Sequence, residues 1–130
     1  MVVEGMSAQI NVVLSEMTNN VPEIEGTGLV SAEGLVIQVT IPPEWTEKDM
    51  DEDQISAMVS GLVGIAETSS FRFQKAGFNR VSVRFQEGHF TAIKVTEDCY
   101  LFTITNEQVK LGMLYLAMEK AVKTLVPVVA

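Results

Sequence analysis

Basic residues are missing from the first third of this chain: no lysine or arginine precedes Lys48 in its 130 residues. An N-terminus without positive charge lacks the basic start of a secretory signal. No apolar run approaches the ~18 residues of a membrane span. Cysteine is nearly absent too, with Cys99 alone. One thiol excludes an internal disulfide and a multi-cysteine zinc site. Together these absences predict a cytoplasmic protein with no direct membrane insertion. The net charge is −8, which argues against nucleic acid, because phosphate recognition needs a basic footprint. Neither G-x-x-x-x-G-K-[ST] nor G-x-G-x-x-G occurs, so those two routes to nucleotide binding are closed.

What charge there is falls unevenly. Residues 1–53 carry eleven acids against Lys48, while Arg72, Lys75, Arg80 and Arg84 gather in the middle. That asymmetry suits a protein partner or self-pairing better than a polyanion, although a merely solvated surface would also account for it.

Apolar content of 47% and length fit one folded domain spanning 1–130. Met6, Ile10, Val13, Leu14 and Met17 recur at helical spacing and predict a helix over 5–19. "GTGLVS" and "LVIQVTI" flank the tight turn Ala32-Glu33-Gly34, which predicts a hairpin. In its second strand Leu35, Ile37, Val39 and Ile41 should share one face. The connector "PPEWTEKDMDED" delivers acids to the start of a second helix, with Asp51 and Gln54 resembling a capping box. This helix should run from about 54 to Ala76, with Gly77 as its C′ residue. Alternation then predicts strands at about 79–86, 89–96 and 99–105. A last helix over 107–125 should be capped by Thr105 and Gln108, end before Pro127, and be buried on more than one side. The order α-β-β-α-β-β-β-α describes an α+β domain: a five-stranded antiparallel sheet with helices on its faces.

The second helix contains Gly61 and Gly64, each costing about 0.5–1 kcal/mol against alanine. On a helical wheel Ile55, Val59, Leu62, Ala66 and Phe73 form the stripe expected to face the sheet. Met58, Gly61, Ile65 and Thr68 form a second stripe, with Gly64 further round. One sheet covers about one arc of a helix, so the second stripe needs another neighbour. A second copy of the chain is the preferred neighbour; a loop or long side chain of the same chain is the alternative. Strand 79–86 begins a meander and should lie at a sheet edge, a template for pairing. The expected self-association surface is Met58, Gly61, Ile65, Thr68, Arg80, Ser82 and Arg84. The arginines could instead simply guard the edge.

Catalytic chemistry is not visible. His89, the single histidine, is expected at the surface or a strand end, without the support a Ser-His-Asp site needs. Asp49, Asp51 and Asp53 alternate like a calcium loop, but Gln54 stands where glycine belongs and Ser60 where the bidentate Glu belongs. Cys99 should be a small core residue. Trp45, the single tryptophan, sits in the connector, either as a partner-binding residue or folded back over its own core. No catalytic residue, metal site or cofactor is expected.

The element order, the "GLVSAEGLVI" hairpin, the "DEDQISAMVSGLVGIAE" helix and the final "LGMLYLAMEKAVKTL" helix resemble the roadblock/dynein light chain family. The likeness covers about residues 6–126 and is nearest to free-standing prokaryotic members of the MglB type. It implies a homodimer, or a heterodimer with a paralogue, through the second helix and third strand. It also implies a non-enzymatic regulator or scaffold of a small Ras-like GTPase, with stimulated GTP hydrolysis as one form of regulation. The alternative is a small-ligand-binding, sensory or adaptor module with no GTPase partner.

Overall fold

A computed structural model describes residues 4–46 and 50–130. Its elements are α1 (Glu4–Asn20), β1 (Ile24–Ser31), β2 (Val36–Thr40), α2 (Pro43–Thr46), α3 (Glu52–Arg72), β3 (Arg80–Phe85), β4 (Gly88–Thr96), β5 (Cys99–Asn106) and α4 (Leu111–Val129). Apart from the one-turn helix α2, this is the order expected. The strands form one antiparallel sheet in the order β2-β1-β5-β4-β3. The last strand in sequence therefore lies at the centre, and β3 lies at an edge.

Strand alternation sorts the core onto two faces. Leu29, Ile93, Val95 and Leu101 pack under α1 and α4, with Ile10, Leu14, Met17, Leu114, Met118 and Leu125. Val30, Phe90, Ala92, Tyr100 and Phe102 pack under α3, with Ile55, Val59 and Val63. The α1/α4 face also carries a row of hydroxyls, one per strand: Ser82, Thr91, Thr103, Thr27 and Thr40 are successive cross-strand partners. The buried members are hydrogen-bonded. Thr27 Oγ1 donates to the Phe102 carbonyl (2.7 Å), and Thr91 Oγ1 pairs with Ser82 Oγ (2.6 Å).

Several local expectations need correction. Helix α3 ends at Arg72, not Ala76. Its C′ residue is Gln74 (φ 59°), not Gly77. The Lys75 N–H reaches back to the Ser70 carbonyl and the Gln74 N–H to that of Phe71, the hydrogen-bond pattern of a Schellman ending. Phe73, the C-cap, is 74% exposed rather than packed on the sheet, while Ser56 and Val63 are buried on that side of α3. In β2, Leu29 pairs with Gln38 and Val30 with Val36. The bulge breaks the expected alternation: Ile37 packs with the α1/α4 core, while Val39 and Ile41 pack with the α3 core. Helix α4 starts at Leu111 with no side-chain cap, and Pro127 lies inside its last turns. Met113 and Leu116 are exposed, because α4 packs mainly against α1 and the sheet. His89 is at a strand end, as expected, but is buried rather than superficial.

Candidate functional site

Helix α3 begins with Asp51 as N-cap, whose Oδ1 accepts from the Gln54 N–H (2.9 Å). The cap holds the helix start beside the connector, and Ile55, Val59 and Val63 seat it on the sheet. Its outward side is bare. Met58, Gly61, Ile65 and Thr68, all named from the sequence, are exposed, and so are Gln54 and Arg72. These six positions follow a 4-3-4-3-4 spacing, the seam of a helix that packs along another helix. A Cβ added at Gly61 or Gly64 would meet nothing within 4 Å. No loop or long side chain among the described residues covers those glycines, so the internal-contact alternative fails there.

Beside this bare side runs β3, paired only with β4. Val81, Val83 and Phe85 point toward α3, and Phe85 is half exposed. Arg80, Ser82 and Arg84 occupy the alternate positions, on the α4 face. The Arg80 guanidinium lies over the Tyr115 ring, 3.6 Å from its centroid, and 3.6 Å from Glu119 Oε1. Ser82 Oγ is 3.1 Å from Tyr115 Oη. The seven expected interface residues thus divide. Four lie on the open side of α3, and three on the edge strand facing the other way, two of them engaged by α4.

Trp45 folds back over its own sheet. Its ring lies where a side chain at Gly26 would be: a Cβ there would meet Trp45 Cζ3 at 3.1 Å. Gly26 is thus a required partner of Trp45 that residue-by-residue reading passed over. With Met50, Ile55, Met58, Phe85, Phe90 and Ile104, Trp45 walls an apolar cavity of about 350 Å³. The cavity opens between the start of α3 and the end of β3, beside the exposed Met58 and Phe85. The connector's acids flank this opening through Asp51, Glu52 and Asp53, all exposed.

The sheet thus carries α3 on one face, α1 and α4 on the other, and an uncovered helix–edge surface. The Roadblock/LC7 domain matches residues 10–105. The chain belongs to the Roadblock/LC7 family. An uncharacterized protein of Methanocaldococcus jannaschii is 26% identical over 116 residues, covering 89% of this chain and 92% of its own length. Among solved structures, Myxococcus xanthus MglB superposes with a TM-score of 0.85 at 18% identity, covering 98% of this chain and 92% of that one. The gliding protein MglB of Thermus thermophilus gives 0.86 at 16% identity, covering 98% and 93%. At these identities the structural likenesses establish the fold.

Elsewhere this Roadblock/LC7 domain offers little chemistry. Among the described residues no three His, Cys, Asp or Glu side chains gather in a way that could hold a metal ion. Asp49, the first position of the calcium-like pattern, lies outside the described residues. Burial, and then the neighbouring Asp98 carboxylate, push the Cys99 thiol up to about 11. It is a poor nucleophile at neutral pH. His89 and Thr105 are cross-strand partners, and His89 Nδ1 and Thr105 Oγ1 are buried without hydrogen-bond partners among the described residues. No described helix is long and apolar enough to cross a membrane.

Proposed function

We propose that this protein is a non-enzymatic, dimeric regulator or scaffold of a small Ras-like GTPase. The observation that carries the dimer is the open side of α3: a helical seam through Gly61, with Gly64 further round, both facing empty space, beside an unpaired strand edge. Exposed apolar patches rimmed by polar residues mark interaction surfaces. The GTPase partner is the inference that the Roadblock/LC7 resemblance supports. A paralogue could replace the second copy. The protein would work in the cytoplasm of a prokaryotic cell.

Stimulated hydrolysis, where it occurs, would come from holding the GTPase switch segments in their active arrangement. Arg80 is a weak donor for such a reaction, being held by Tyr115 and Glu119. The test is capture of the host's small GTPases loaded with GDP or a GTP analogue, followed by hydrolysis assays. Nucleotide-dependent capture is expected, with a solution mass near twice 14.2 kDa. Arg80→Ala and Arg84→Ala should each leave stimulation intact. Absence of capture in both nucleotide states would overturn the GTPase reading.

The cavity under Trp45 bears on the second reading, a small-ligand module. Ligand sites ordinarily combine an apolar cavity with a few convergent polar groups. The residues lining this one are apolar throughout apart from the Trp45 indole N–H, which makes it a better seat for a hydrophobic side chain than for a metabolite.

A further inference from the structure

We propose that the apolar cavity walled by Trp45, Met58 and Phe85 is the seat for Phe73 of a second copy, so that each chain plugs the other. This deepens the dimer reading and rests on it.

The seam of α3 carries its own symmetry. Gln54, Met58, Gly61, Ile65, Thr68 and Arg72 are spaced identically in both directions about residue 63. Two such helices packed antiparallel about a two-fold axis at that level bring Gly61 against Ile65, Met58 against Thr68 and Gln54 against Arg72. A large side chain then faces the glycine gap. At about 1.5 Å per residue, Phe73 lies about 15 Å from the axis. On the opposite side, Met58 and Ile55 lie about 8 and 12 Å from it. The partner's Phe73 therefore arrives level with Asp53, at the end of the cavity that Asp51, Glu52 and Asp53 flank.

Phe73 is built to protrude. It caps α3 at the Schellman ending, where Gln74 and then Ala76 hold positive φ, and it is 74% exposed. Its flanks are basic, with Arg72 and Lys75 exposed, whereas Asp51, Glu52 and Asp53 flank the cavity. Antiparallel packing sets the basic end of one copy on the acidic end of the other. Area supports the same occupant. Taking about 200 Å² per ring, the exposed fractions of Phe71, Phe73 and Phe85 (60, 74 and 50%) leave on the order of 350 Å² uncovered per copy. Met58, Ile65 and the β3 edge bring this toward the ~800 Å² per partner of a standard stable interface.

The test uses the position of Trp45 in the cavity wall, where its emission senses filling. Dilution through the dimer–monomer transition should shift that emission to the red, in step with the mass. Phe73→Ser, at an exposed position that spares the fold, should weaken association at least tenfold and leave Trp45 open to a soluble quencher. Gln54→Cys and Phe73→Cys on separate chains should form a mixed disulfide in preference to either homodimeric one. Within one chain the two positions are about 28 Å apart along α3, and native Cys99 is buried. A dimer of normal mass that gives no mixed disulfide, with Trp45 indifferent to Phe73→Ser, overturns the plug and leaves the dimer standing. Saturable binding of an apolar dye to the dimer, quenching Trp45, also overturns it and assigns the cavity to a small ligand. A chain monomeric at every concentration overturns both.

Discussion

Replacing Gly61 and Gly64 by alanine separates what the single chain wants from what a packed pair wants. In the single chain both new methyl groups would stand in open space. Helix propensity alone should then stabilise α3 by about 0.5–1 kcal/mol per site. For a chain of this size each kcal/mol raises the melting temperature by roughly 4 °C. In an antiparallel pair the Gly61 methyl meets Ile65 of the other copy, and it does so twice per dimer. Overpacking a close contact costs about 1–3 kcal/mol, enough to cancel the helical gain and weaken association. The expected result is a crossing. Urea unfolding of the double variant should show higher stability than wild type at dilutions where both are monomeric, and lower stability where wild type is dimeric. Sedimentation at the same concentrations should report a lighter species. Gly112→Ala is the control: its added Cβ on α4 also meets nothing, so any gain should persist at every concentration. A double variant that stays dimeric and is more stable throughout would refute close packing at the seam.

Gly88→Ala should destabilise by upwards of about 3 kcal/mol in urea titration, because the new Cβ would overlap the Thr105 carbonyl oxygen and push β4 off β5. Gly26→Val should expel the Trp45 ring, shifting its fluorescence to the red while costing about 1–3 kcal/mol of stability. Folded protein should resist a disulfide reagent at pH 8, since Cys99 titrates near 11, and should react once unfolded. That raised value also predicts a pH dependence. Between pH 9 and 11 the unfolded thiol loses its proton while the folded one keeps it, so this contribution to stability is full below 9 and is lost as pH rises to 11. Cys99→Ala should remove that part of the slope in unfolding midpoints compared across the range.

The period of the apolar residues announced most of this fold. Alternation in 79–105 announced the meander, and its first place in that meander put β3 at an edge. The glycines of α3 announced an open side for the same reason: propensity is local, so a violation of it is visible without coordinates. Other features depend on distant atoms. Helix α3 stops at Arg72 because Gln74 is left-handed, a conformation that residue type rarely takes, and Phe73 is left exposed at its end. The bulge that redirects Ile37 is a register shift between two strands, not a property of either one. Trp45 finds its seat on Gly26, nineteen positions earlier, and that pairing depends on how β1 lies beneath the connector. Arg80 was legible as an edge charge, but its hold by Tyr115 and Glu119 arises from the way α4 crosses the sheet.

The central place of β5 has a consequence for how the chain assembles. The sheet is two hairpins, β1–β2 and β3–β4, with no direct bond between them; Cys99–Asn106 joins both. Thr27 waits for the carbonyl of Phe102, 75 positions later. Pairing across such a span closes a long loop and is correspondingly slow. A chain emerging from the ribosome holds two unfinished half-sheets, each with an unsatisfied edge, until its penultimate element appears. Cooperative folding therefore begins only once Cys99–Asn106 has been made, and a chain cut short before Cys99 retains two hairpins with nothing to unite them.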